Sequence, residues 1–289
     1  MPPFHCLVRF QSADDNLIYF ADLGVNGLEQ LGVVSQVDGY ASVEGLIARD
    51  GGRPVRLGKI LAPVPRTGVP IYCVGLNYQS HAEEAKLAIT QHPPLWTKPA
   101  AALADPYEDI VMNKFCASSL PDYEGELVFV TSRACRDVNA KEAQSCILGY
   151  TVGNDISCRL YQLPEQCGRQ FYFAKAFDKF APIGPTLVHP EVIGQGEGLK
   201  LITRLNGETV QEAEFMKDLI WKPAEILSWM SQGTTIPAGT AVMTGTPAGV
   251  GVFKNPRRLL TDSDVVEVEI ANVGVLRNKI VFEKQRCMH

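Results

Sequence analysis

The chain has 289 residues, 46% of them hydrophobic and 20% charged, enough apolar material for one large core or two modest ones. A formal net charge of −5 with both signs mixed argues against a nucleic-acid surface, where a basic excess is expected. No window approaches 18 uninterrupted apolar residues, so no membrane-spanning helix is expected.

In chain order, residues 4–10 (FHCLVRF) and 16–23 (NLIYFADL) predict two short strands. A weakly helical stretch over 27–48 follows, containing Leu28, Leu31, Val43 and Leu46. Residues 51–70 are rich in Gly and Pro and carry no period, which predicts a linker. The expected division is a small N-terminal α/β domain with its linker over 1–65 and the main domain over 66–289.

Beyond the linker, Ile71–Gly75 predicts a short strand leading into a helix at "NYQSHAEEAKLA". Ser80 is its expected N-cap, with Glu83 three residues on as the capping-box partner. "DYEGELVFV" (122–130) predicts a strand buried on both faces. A short helix at 140–147 and a strand at 147–152 come next, then an irregular stretch over 158–172. "LKLITRL-NG-ETVQEAE" predicts a hairpin, because Asn206-Gly207 suits a two-residue turn with positive φ. Pro223 opens a helix ending by Gly233, and "AVMTGTPAGVG", "DVVEVEI" and "GVLRNKIVF" predict three further strands. Strands dominate without βαβ alternation, so the fold class is α+β, mainly β.

The cysteines, at 6, 73, 116, 135, 146, 158, 167 and 287, form no CxxC pair and no metal-binding spacing. They read as free thiols of a reducing compartment. The N-terminal segment has no long apolar core and has early acids, which disfavours a presequence. A cytoplasmic location is expected.

Four features are candidates to carry chemistry. Strand alternation points Glu124 and Glu126 the same way, and Asp155 follows the next apolar strand. Three carboxylates from two strand ends suit a hard divalent ion, Mg²⁺, Mn²⁺ or Ca²⁺, which would remove their mutual repulsion. Solvated strand-end acids and a turn aspartate satisfy the same spacing, which alone does not decide. His81 and Glu84, at i and i+3, share a helix face as a general base and its orienting carboxylate would, although an ordinary surface ion pair also fits. Lys175, among the aromatics of "FYFAKAFDKF", could stabilise developing negative charge or simply be a strand lysine paired with Asp178. "TGTPAGVG" (244–251) lacks the Lys-Ser/Thr ending of a P-loop but could offer the Thr246 hydroxyl and backbone amides to an anionic group.

Taken in order, "YCVGLNYQSHAEE", "PPLWTKP", "DYEGELVFV", "GYTVGNDISCRLYQ", "FAKAFDKFAPIGP", "LNGETVQ" and "TGTPAGVG" resemble the fumarylacetoacetate hydrolase superfamily across residues 72–251. The resemblance implies a mixed β-roll holding Mg²⁺ or Mn²⁺ on Glu124, Glu126 and Asp155. It places the catalytic His-x-x-Glu on His81 and Glu84 and the catalytic lysine on Lys175. Gln162 and Thr246 fall where substrate contacts are expected, and a homodimer is implied. One departure is that "CRL" stands where "ARD" is frequent, putting Leu160 at an acidic position and casting doubt on the surroundings of Asp155. Leu76 stands where some members carry arginine.

The activity so implied is divalent-metal-dependent cleavage of a C–C bond in a small 2-oxo acid or β-diketo acid, of the acylpyruvate or fumarylacetoacetate type. Oxaloacetate decarboxylation and keto–enol tautomerisation pass through the same enolate and stand as alternatives. A catalytically silent metal-binding structural protein is the alternative of another class.

Overall fold

Residues 125–131 have no exposed position, which in a strand means cover on both faces. In a computed structural model, which describes residues 2–25, 27, 35–64, 68–168, 170–194, 196 and 198–284, this strand, Gly125–Thr131, lies inside a ten-stranded sheet. Its neighbours are the antiparallel strands Ile147–Asn154 and Ala241–Met243. Outward from the first of these come Ala181–Val188, Cys6–Gln11 and Ile18–Asp22; outward from the other come Ile71–Val74 and Leu95–Lys98. Pairing is antiparallel except where Ala241–Met243 meets Ile71–Val74 and where Leu103–Ala104 meets Ala181–Val188.

A second sheet runs Glu208–Glu214, Lys200–Leu205, Val265–Ile270, Gly274–Phe282 and Ile110–Met112. Buried and exposed positions alternate along Gly274–Phe282, the period-two pattern of a sheet with one dry face. Leu201, Val266, Val268, Leu276 and Ile280 of that face share one core with Leu127, Phe129 and Val152 of the large sheet. The predicted hairpin forms with Asn206 at φ 54° and Gly207 at φ 83°, as a two-residue turn requires.

Three elements differ from expectation. The helix expected over 27–48 is a strand, Gln36–Gly39, followed by a short helix, Val43–Ala48, capped by the Ser42 side chain; residues 28–34 lie outside the described ones. The expected linker contains the strands Arg53–Arg56 and Lys59–Leu61, which pair with Gln36–Gly39 and Cys6–Gln11. Gly and Pro there punctuate short strands rather than unstructured chain. Cys6–Gln11 bonds directly to Ala181–Val188, so strands from either side of residue 65 share one sheet. Finally, Ser80 is not a cap. The helix runs Gln79–Ala85 with Tyr78 at its N-cap and no side-chain cap bond. Asp218, remote in sequence, accepts from the Ser80 N–H (2.9 Å) and hydroxyl (2.5 Å) instead.

Candidate active site

Register alone brings the acids together. Gly125 pairs with Asn154 and Glu126 with Gly153, so Asp155 emerges opposite Glu124, whose carbonyl accepts the Asp155 N–H at 2.8 Å. Carboxylate oxygens of Glu124, Glu126 and Asp155 all lie within 4.8 Å of one another, and all three residues are buried. Between the glutamates only glycine fits, because a Cβ on Gly125 would overlap the Thr203 hydroxyl.

Electrostatics divide the three acids. Lys175 Nζ lies 2.7 Å from Glu124 Oε2, 2.6 Å from Asp155 Oδ2 and 2.8 Å from the Ser157 hydroxyl. Arg159 Nη1 reaches Glu124 Oε1 at 2.5 Å. Burial opposes ionisation of Glu124, but Lys175 and Arg159 outweigh it and bring its pKa down to about 2. Among the described residues Glu126 contacts no cation and accepts one hydrogen bond, from the Gly245 N–H at 2.7 Å. Burial first, then the charges of Asp155 and Glu124, hold its pKa well above the ordinary glutamate value of 4.5. Lys175 stays protonated: burial works against it, yet Asp155 and Glu124 raise its pKa.

This set fits a hard divalent cation. The donors are all carboxylate oxygens, and a cation beside Glu126 would remove the repulsion that disfavours its ionised form. Calcium, magnesium and manganese share that chemistry.

Two neighbours that carry the site went unnoticed in the sequence. Lys98, fully buried, reaches Asp155 Oδ1 at 2.5 Å and donates to the carbonyls of Ile156 (3.1 Å) and Phe180 (2.5 Å). Arg159 holds Asp122 through Nε (2.8 Å) and Gln162 Oε1 through Nη1 (2.9 Å), while its buried Nη2 has no acceptor among the described residues. The doubt raised by Leu160 is therefore resolved by other residues: Lys98 and Lys175 hold Asp155. Lys175 itself ends a one-turn helix, Tyr172–Lys175, rather than sitting in a strand, and its carboxylate partners are Glu124 and Asp155 rather than Asp178.

His81 Nδ1 lies 3.1 Å from Glu84 Oε2, as helical spacing predicts. Glu84 Oε1 accepts the Gly249 N–H at 2.9 Å, which fixes the carboxylate. With Nδ1 facing a carboxylate, the imidazole proton belongs there and Nε2 is left basic.

The glycine loop serves these side chains. Its amides at Gly245, Ala248, Gly249 and Gly251 go to Glu126, Ser80, Glu84 and Asp122. The Thr246 hydroxyl donates to the Gly125 carbonyl (2.9 Å) and accepts from Gln211 (2.8 Å). Of the loop amides expected to meet an anion, the Thr246 and Val250 N–H groups are left without an acceptor among the described residues.

His81, Glu124, Glu126, Gln162, Lys175 and Thr246 line one cavity of about 420 Å³. Asp155 and Glu84 stand behind that lining.

Comparison with known proteins identifies the family. Residues 70–281 match the family model described as fumarylacetoacetate (FAA) hydrolase C-terminal. A Bos taurus protein named oxaloacetate tautomerase FAHD2A, mitochondrial, is 36% identical over 221 residues, 76% of this chain and 69% of its own. The Bacillus subtilis protein named oxaloacetate tautomerase YisK is 36% identical over 224 residues, 77% of this chain and 73% of its own. Among solved structures, a 2-hydroxyhepta-2,4-diene-1,7-dioate isomerase from Mycobacterium marinum superposes with a TM-score of 0.76 at 29% identity, covering 97% of this chain and 100% of that one. A fumarylacetoacetate hydrolase from Exiguobacterium antarcticum gives 0.75 at 28% identity, covering 96% and 100%. The chain belongs to the fumarylacetoacetate hydrolase family.

Proposed function

We propose that this protein is a divalent-metal-dependent enzyme that interconverts the keto and enol forms of a small 2-oxo acid. The observation that carries this proposal is the shared cavity: Glu124 and Glu126 at its floor with Asp155 directly behind them, and a carboxylate-oriented imidazole in its wall. Glu124, Glu126 and Asp155 would hold Mg²⁺ or Mn²⁺. A bound ion supplies Lewis acidity, polarising the carbonyl and neutralising charge that develops on its oxygen.

The chain's own residues do the rest. His81 Nε2 takes the proton from the carbon next to the carbonyl, and Glu84 stabilises the imidazolium. Returning that proton to oxygen completes tautomerisation. Lys175, held protonated by two carboxylates, adds positive potential beside the developing enolate. The Thr246 N–H and the Gln162 amide are suited to the substrate carboxylate. The relatives named oxaloacetate tautomerase support this proton-transfer chemistry.

Hydrolytic C–C cleavage is the second reading, and the His81–Glu84 pair favours it, since the same base can activate water. Decarboxylation needs neither water nor base. A homodimer in the cytoplasm remains part of the proposal: six described cysteines are free and buried. No helix of the described residues is long and apolar enough to cross a membrane.

The test is to give the Mg²⁺-loaded protein enol-oxaloacetate and acetylpyruvate separately, following ultraviolet absorbance and analysing products. Faster loss of the enol band with oxaloacetate retained supports tautomerisation. Acetate with pyruvate would instead mark hydrolysis, and CO₂ with pyruvate decarboxylation.

A further inference from the structure

The same cavity says something about the far end of the substrate. Its inner part is charged and buried, with the Trp96 ring 5.2 Å from Lys175 Nζ, whereas Leu76, Leu87, Leu163, Phe171 and Phe253 add apolar side chains to the rest of the wall. Leu87 is 57% exposed, Phe253 48% and Leu163 41%, so large apolar side chains gather at the mouth, where water would otherwise favour polar ones. A volume of about 420 Å³ lies within the range of pockets for drug-sized ligands and far exceeds the need of a four-carbon diacid.

The cations are all at the other end. Among the described lining residues the charged bases are Arg159 and Lys175, and both are tied to the acids at the floor. A second carboxylate on the substrate, pointing outward, would lie against these apolar side chains and lose part of its hydration, with no untied cation among the described lining residues to receive it. A hydrocarbon tail there would gain with every carbon buried.

Leu76 adds an independent sign. Its φ of 49° is in the left-handed region, a conformation costly for a branched side chain. Glycine or asparagine would hold that backbone more easily. Leucine is kept at a wall of the cavity despite the strain, as expected where the side chain itself is used.

We propose that the preferred substrate is a 2-oxo acid whose distal end is an apolar chain or aromatic ring, held by this wall, with a short dicarboxylic acid such as oxaloacetate accepted more weakly. The inference rests on the 2-oxo acid chemistry proposed above, but not on which reaction follows. It sets this chain apart from the relatives whose names mention oxaloacetate.

Equilibrium calorimetry on the full-length protein with Mg²⁺ tests it without relying on turnover. The probes are pyruvate, 2-oxobutyrate, 2-oxohexanoate, 2-oxooctanoate and phenylpyruvate, set against oxaloacetate and 2-oxoglutarate. Affinity should rise about fourfold per methylene until the cavity is filled. The apolar acids should bind at least about tenfold more tightly than the diacids of similar length. Leu87→Arg, at an exposed position that tolerates charge, should weaken 2-oxooctanoate severalfold and tighten 2-oxoglutarate. Affinities that are flat along the series, diacids that bind more tightly, or no binding by any probe would overturn the proposal. Ordered binding without keto–enol conversion would leave it standing and overturn the reaction instead.

Discussion

Asp218 grips Ser80 across 138 residues of sequence, accepting both its backbone N–H and its hydroxyl, and so fixes the first turn of the helix that carries His81. A free N–H at a helix start is normally satisfied by a cap from the same segment. Here the acceptor comes from elsewhere in the fold, which ties the orientation of the base to the packing of the Phe215–Asp218 turn. Asp218→Ala should cost about 1 kcal/mol of stability, the usual worth of a lost cap. Turnover should fall with Mg²⁺ affinity unchanged, which calorimetry and steady-state kinetics read separately.

His81→Gln should lower turnover by roughly 10²–10⁴, the usual contribution of a positioned base, and leave the metal in place. Glu84→Gln should cost less, because the imidazole remains but loses its charged partner and its fixed tautomer. Equal activity in both variants and the parent would show the pair to be incidental.

Glu126 and Glu124 should act on stability in opposite pH windows. Glu126 binds its proton more tightly folded than unfolded, so its contribution is fully present below pH 4.5 and is lost as pH rises through the raised folded value. Glu124, lowered to about 2, contributes stability above pH 4.5 that disappears as pH falls from there toward 2. In chelator, thermal unfolding should therefore show a decline above pH 4.5 that Glu126→Gln removes. Mg²⁺ should abolish the decline in the parent and do little in the variant.

Lys98 links the strand Leu95–Lys98 to the turn after Asn154, pairing with Asp155 and two carbonyls in a site without water access. Lys98→Met should destabilise the metal-free protein by about 3 kcal/mol or more, because a buried carboxylate loses its partner. A bound cation replaces part of that charge, so Mg²⁺ should raise the melting temperature of the variant more than that of the parent.

How much of this could be seen in the sequence depends on how local each determinant is. Glu124, Glu126 and Asp155 were legible because strand period and antiparallel register bring them together with few intervening choices. His81 and Glu84 needed only helical spacing. The Asn206-Gly207 turn announced its hairpin. Lys98 and Asp218 were not legible, since each acts on partners far off in sequence, 58 residues from Lys98 to Ile156 and 138 from Asp218 to Ser80, through a packing relation that no period encodes. Gly and Pro misled over 51–70, where they bound short strands that larger neighbours recruit into sheets. The loop amides of "TGTPAGVG" looked free for an anion because the side chains that take them, Ser80, Glu84, Asp122 and Glu126, come from two other segments.

Titration calorimetry of Mg²⁺ and Mn²⁺ into chelator-treated protein, with Glu126→Gln alongside, tests the metal centre most directly. One ion should bind per chain, the parent should release protons at a pH where Glu126 is still protonated, and both signals should vanish in the variant. Binding of equal strength in parent and variant, or none in either, would contradict an ion held by Glu124, Glu126 and Asp155.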